Sequence, residues 1–176
     1  MFVTRDASVI ASDSSPFPVG HVFTDTEWAS VEATLIGRGF EAGTARVASG
    51  QRLQRSDQPF ALVRATSTDR GVCFLPVRGT RPGVATCSPN GRLNTPLLAF
   101  GAADGSAKQP MTAIVGVARH GITGVSAVDA RGFVSGLAMV PTTGGLWAVT
   151  GGYGSTTLVI RARTASGRVV SQITLP

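Results

Sequence analysis

The stretch Phe60-Ala-Leu-Val-Arg-Ala-Thr66, followed by Thr68-Asp-Arg-Gly71 and then Val72-Cys-Phe-Leu-Pro-Val77, decides the fold class. Two β-rich apolar runs meet across a small polar cluster whose last residue is glycine. Asp, Ser or Thr opens a type I turn, and Gly takes the left-handed position that closes it. The same device recurs at Val128-Asp-Ala-Arg-Gly132-Phe-Val and at Arg163-Thr-Ala-Ser-Gly167-Arg-Val. Three turns of one design predict an antiparallel all-β fold. In the last hairpin Leu158, Ile160 and Ala162 share one face. Arg161 and Arg163 fall with Val159 on the other, the expected solvated side of a sheet.

Working upstream, the chain holds a single helix candidate. Thr24 and Glu27 have capping-box spacing, Trp28, Val31 and Leu35 follow at offsets of three and four, and Gly37 and Gly39 end the pattern. Residues 1–20, rich in Ser, Asp and Pro, read as a tail or linker. With Asp6, Asp13 and several serines after Met1, they do not read as a signal peptide, so an exported form would be a mature or trimmed portion. Working downstream, Gly101 to Pro110 is the clearest linker-like break. Five or six strands are expected after it, few for an independent two-sheet sandwich. The expectation is therefore a single β-rich domain over residues 21–176, with the strands from Phe60 to Phe100 completing its core. A division at 101–110 is the alternative.

Apolar residues make up 43% of the chain and charged residues 15%, against a usual ~25% charged, which excludes a disordered chain. No apolar run approaches the ~18 residues that span a bilayer as a helix. The net charge of +6 is almost wholly arginine, with Lys108 the single lysine. A GC-rich coding bias accounts for that choice; an anionic partner is the functional alternative. Nucleic acid is not the expected partner, because the arginines are scattered from Arg5 to Arg168 and aromatics for stacking are few.

Cys73 and Cys87 are the two cysteines, and they flank Arg78-Gly-Thr-Arg-Pro-Gly83. Reflecting the flanking strands, Val72–Val77 and Val84–Ser88, about Thr80 sets the cysteines opposite each other, at a spacing suited to a disulfide. A disulfide implies an oxidising compartment. Two cysteines without spaced histidines do not complete a tetrahedral metal set, so no metal is expected.

Catalytic and cofactor motifs fail one by one. Gly132-Phe-Val-Ser-Gly136 misses the nucleophile-elbow spacing by one, and Gly37-Arg-Gly-Phe-Glu-Ala-Gly43 misses the dinucleotide fingerprint in the same way. Gly151-Gly-Tyr-Gly-Ser-Thr-Thr157 lacks the lysine of a phosphate loop and sits between two strands. The histidines, His21 and His120, read as loop residues. The glutamates cluster between Glu27 and Glu41 and the aspartates occupy turns, with no pair set for acid–base work. No catalytic residue and no cofactor is expected.

The region from Thr112 to Pro176 resembles a bacterial immunoglobulin-like module. The resemblance rests on Ile114-Val-Gly-Val-Ala118, Gly121-Ile-Thr-Gly-Val-Ser-Ala-Val-Asp-Ala-Arg-Gly132, Gly145-Leu-Trp-Ala-Val149 and Leu158-Val-Ile-Arg-Ala-Arg-Thr-Ala-Ser-Gly167. It implies an antiparallel immunoglobulin-like β-sandwich, with Trp147 filling the core, and no particular activity. Gly71-Val-Cys-Phe and Ala85-Thr-Cys-Ser, ahead of it, are similar to uncharacterised exported or membrane-anchored proteins of high-GC Gram-positive bacteria. Both cysteines lie outside the matching stretch, so the immunoglobulin cysteine pattern is absent. The function expected is a non-catalytic extracytoplasmic binding or structural module of the cell envelope, meeting a protein or an envelope polymer. A virion or other assembly component, and an enzyme whose site is not recognisable from sequence, are the alternatives. Binding is expected on loops at Ala118–Gly121 and Thr142–Gly145, with His120, Gly121, Thr142 and Thr143 as the contact residues.

Overall fold

Met111 to Ala118 is apolar at nearly every position, and a strand of that composition needs cover on both faces. The computed structural model describes residues 19–91, 93–103, 111–129, 134–139, 145–150 and 158–175. Its elements are α1 (Val19–Val22), α2 (Asp25–Gly37), β1 (Arg46–Arg52), β2 (Pro59–Ser67), β3 (Gly71–Arg78), β4 (Arg81–Pro82), β5 (Thr86–Ser88) and β6 (Leu97–Ala103). They continue with β7 (Met111–Ala118), β8 (Gly124–Asp129), β9 (Val134–Met139), β10 (Gly145–Thr150), β11 (Leu158–Arg163) and β12 (Val169–Leu175). The fold is all-β and sandwich-like with a short helix near its start, as the turn chemistry predicts. Every strand pairing is antiparallel. Among the described residues no helix is long and apolar enough to cross a membrane.

The strands form three sheets. The first runs β1-β2-β3, with β4 and β5 both on the outer edge of β3; the middle sheet runs β10-β7-β6; the outer sheet runs β12-β11-β8-β9. Side-chain alternation stacks them. On the middle sheet, Leu98, Phe100 and Ala102 of β6 join Ala113, Val115 and Val117 of β7 against Phe60, Leu62 and Phe74 of the first sheet. The alternate residues, Leu97, Ala99, Ile114 and Ala118, pack on Val125, Ala127, Leu158, Ile160 and Ala162 of the outer sheet. The expected split of β11 holds: Leu158, Ile160 and Ala162 are buried while Val159, Arg161 and Arg163 are half-exposed. A buried hydrogen bond joins the first two sheets, Ser49 Oγ donating to the Gly116 carbonyl at 3.4 Å.

Helix α2 covers the far face of the first sheet. Thr24 and Glu27 form the predicted capping box: the Glu27 amide donates to Thr24 Oγ1 at 3.2 Å and the Thr24 amide to Glu27 Oε2 at 2.8 Å. At the other end Gly39 N–H donates to the Ile36 carbonyl and Phe40 N–H to the Leu35 carbonyl, the two bonds of a Schellman cap. Phe40 and Leu35 then bury together with Val31, Val47, Val63, Leu75 and Cys73. Each such side chain contributes roughly 1.5–3 kcal/mol by leaving water.

The cysteine register is as read from the sequence: Cys73 pairs with Cys87, 4.0 Å between Cα atoms, and the two are disulfide-bonded. The route between them differs. The turn is only Gly79-Thr80, because Arg78 pairs with Arg81 and Val77 with Pro82. That register would carry Cys73 past Cys87 by one residue. A bulge restores it, since two residues of β3, Leu75 and Pro76, face three, Gly83 to Ala85, with Gly83 N–H donating to the Pro76 carbonyl at 2.7 Å. Val84, the bulged residue, is left 83% exposed.

Other boundaries also shift. Strand β1 lies in a stretch that the periodicity leaves unassigned, because Ser49, Gly50 and Gln51 interrupt the β-rich pattern and a bulge at Val47/Ser49 breaks its alternation. Residues 19–20, read as the end of the tail, are helical, and β6 runs three residues into the linker-like stretch. Residues 1–18, 104–110, the turn 130–133 and the glycine-rich 151–157 lie outside the described residues.

Gly71 and Gly167 close their hairpins with φ of +79° and +81°, the left-handed conformation predicted for both. Their surroundings differ: a Cβ on Gly71 would stand 2.5 Å from the Ser88 carbonyl oxygen, whereas one on Gly167 meets nothing within 4 Å. Gly167→Ala is therefore expected to cost about 1–2 kcal/mol of backbone strain. Gly71→Ala should cost at least about 1 kcal/mol more, because β5 must move off β3. Urea unfolding of both variants measures the difference, and equal losses would show that Ser88 and Pro89 are not held against Gly71.

Candidate functional site

Residues 19–70 carry six arginines and six carboxylates, and those charges hold structure together. Arg52 is the centre of the set. Its Nη1 donates to Glu27 Oε2 at 2.8 Å and to the Val22 carbonyl at 3.0 Å, its Nη2 to Glu27 Oε1 at 3.3 Å, and its Nε to Asp57 Oδ1 at 2.8 Å. One guanidinium thus ties the start of α2, the end of α1 and the β1–β2 turn. Arg70 lies over the Phe40 ring at 4.8 Å and donates to the Arg38 carbonyl, while Arg38 reaches the Pro82 carbonyl. The described residues from 71 onward are different: six arginines against one carboxylate, Asp129, which is buried.

Three of those arginines gather at one end of the sandwich, and strand register puts them there. Ala118, the last residue of β7, pairs with Leu97 of β6 and with Gly145 of β10. The start of β6, the end of β7 and the start of β10 therefore share one end of the middle sheet. On the outer sheet Arg163 pairs with Gly124, and Gly124 with Met139, so the β11–β12 hairpin reaches that end too. Backbone bonds lock the loops together. Arg119 N–H donates to the Pro96 carbonyl at 3.0 Å and Thr123 N–H to the Arg163 carbonyl at 2.9 Å. Ile122 anchors the β7–β8 loop in the core at 2% exposure.

The result is a firm loop surface carrying Arg119, His120 and Arg168, all exposed, with Arg163 half-buried behind them. Arg163 Nη1 donates to the Gly167 carbonyl at 3.0 Å, and Thr164 N–H to the Arg168 carbonyl at 3.0 Å. The one described carboxylate of the outer sheet, Asp129, sits at the far end of β8. Guanidinium forks on anchored loops, with no carboxylate beside them among the described residues, can hold anionic groups on a partner.

Of the residues expected to act, Cys73 and Cys87 form the bridge under α2, while His120 and Gly121 occupy the loop end, Gly121 at a φ of +93°. Thr142, Thr143 and the Trp147 side chain lie outside the described residues; Gly145, the first residue of β10, pairs with Ala118. The sequence places Arg163 merely on a solvated sheet face and Arg168 merely after a turn glycine. Their meeting with the His120 loop left no mark in the sequence, because the contact joins the Thr123 amide to the Arg163 carbonyl, forty residues on. Among the described residues no His, Cys, Asp and Glu set is arranged to hold a metal ion. No protein-family model, curated protein or solved structure matches the chain.

The Arg52 network has a pH signature. The Arg52 guanidinium holds the Glu27 carboxyl below its ordinary value of 4.5. The folded protein therefore binds that proton less readily than the unfolded chain. Its stabilisation is complete above about pH 5 and fades as pH falls through the lowered value. Glu27→Gln is expected to cost about 1 kcal/mol at pH 7, the side chains being only a quarter exposed, and to flatten stability between pH 5 and 3. Chemical denaturation across that range checks it; an unchanged acid slope would place the acid sensitivity elsewhere.

Proposed function

We propose that the chain is a non-catalytic extracytoplasmic module of the cell envelope that binds an acidic protein or envelope polymer through the loop end of its sandwich. The observation that carries this reading is the gathering of Arg119, Arg163 and Arg168 on hydrogen-bonded loops, none of them in an ion pair with a described carboxylate. Loops held by a rigid sheet are where such folds place their contacts. The resemblance to immunoglobulin-like modules supports a binding role, since these present loops at the ends of the sandwich. The Cys73–Cys87 bridge supports an oxidising compartment, and closing a loop of about 15 residues adds roughly 3 kcal/mol of stability.

An acidic polymer gathered by guanidinium groups releases counterions, so affinity falls with salt in proportion to the number of contacts. On immobilised polyphosphate, Arg119→Ser with Arg168→Ser should lower the salt slope by about one unit per arginine. Arg161→Ser, on the same strand as Arg163 but paired with Gln172 on the sheet face, should leave it unchanged. Equal effects of all three would mean that net charge alone binds, and would sink the site. For the compartment, protein from its native host is alkylated before digestion and mapped without reduction. A linked Cys73–Cys87 peptide is expected, and two alkylated cysteines would overturn export.

A further inference from the structure

The opposite end of β6 borders a second feature. Where the three sheets converge, a groove of about 400 Å³ opens between Phe60, Pro76, Phe100, Ala102 and Leu175, with Arg78 and Arg81 on its rim. Its walls are apolar and come from β2, β3, β6 and β12. Such a volume lies within the range of small-ligand sites, which pair apolar walls with a few fixed polar groups. Leu97 marks the loop end and Phe100 to Ala102 the groove, so the two regions lie at opposite ends of one strand.

The two arginines break a local rule. Arg78 and Arg81 are direct register partners flanking the Gly79-Thr80 turn, and like charges directly opposed across a hairpin are destabilising. Neither forms an ion pair with a carboxylate among the described residues. Arg78 spends one donor, Nη2 to the Ala103 carbonyl at 2.8 Å, which fixes its side chain across the groove from the first sheet to β6. Each guanidinium has five N–H donors, so most remain for a ligand. Conflicts of this kind, held in place without internal relief, mark functional positions.

We propose that this groove binds a small amphiphilic carboxylate, its apolar body lying against Phe60, Phe100 and Leu175 and its carboxylate bridging Arg78 and Arg81. A planar carboxylate fits the guanidinium fork in two-point contact and relieves the repulsion between the pair. The site is independent of the acidic-partner surface, and no bond is made or broken in it.

Sodium decanoate, kept below its micellar concentration, is the probe, titrated calorimetrically into the intact chain. Saturable binding at one site is expected, with decylamine giving none. Arg81→Gln should weaken decanoate about tenfold or more while leaving the urea midpoint unchanged or raised, since a like-charge neighbour has gone. Arg81 is the residue to change, because Arg78 also holds Ala103. Absence of saturable binding, equal binding of decylamine, or an Arg81→Gln variant that binds decanoate as tightly as the parent would each overturn the proposal.

Discussion

The middle sheet is the constraint on which the structure depends. Strands β6 and β7 place apolar side chains on both faces, so water is excluded from either side only if another layer lies there. The first sheet satisfies one face and the outer sheet the other. Because the first sheet is itself apolar on both faces, a further cover is needed, and α2 provides it with Val31, Leu35 and Phe40. Four layers follow from a three-stranded sheet. Gly116 permits a buried polar link between the first two sheets, since a backbone carbonyl without a flanking side chain is within reach of Ser49.

What the sequence revealed was local. The capping box at Thr24 and Glu27, the left-handed glycines at 71 and 167, and the alternation of Leu158 to Arg163 are each written within a few residues. The Cys73–Cys87 register was legible too, though by a different route, because a tight turn and a one-residue bulge displace the strands in opposite senses. What stayed hidden was of longer range. Strand β1 has a weak pattern, and pairing with β2 overrides it. The allocation of strands to three sheets depends on which apolar faces meet. The loop end was half legible: the chain pointed to His120 and Gly121, but register alone brings Arg163 and Arg168 beside them.

Charge is distributed along the same division. Over residues 19–70 cations and carboxylates are matched in number, and Arg52 with Glu27 and Asp57 is spent on internal bonds. From residue 71 onward the described arginines are almost unopposed by carboxylates, and all are exposed or half-exposed. The net positive charge that composition reports therefore comes from the chain beyond residue 70.

The order of the layers along the chain has a consequence for biogenesis. Synthesis delivers α2 and β1 to β5 first, and their pairings are mostly hairpins that close without later residues. The inner face of that sheet, with Phe60, Leu62 and Phe74, then waits uncovered until β6 and β7 arrive. β7 in turn holds one edge open for β10, which comes later still. A nascent chain thus passes through a stage in which half the molecule is built and the apolar inner face of its sheet meets water. The interval between the fifth and seventh strands is when self-association competes most strongly with folding.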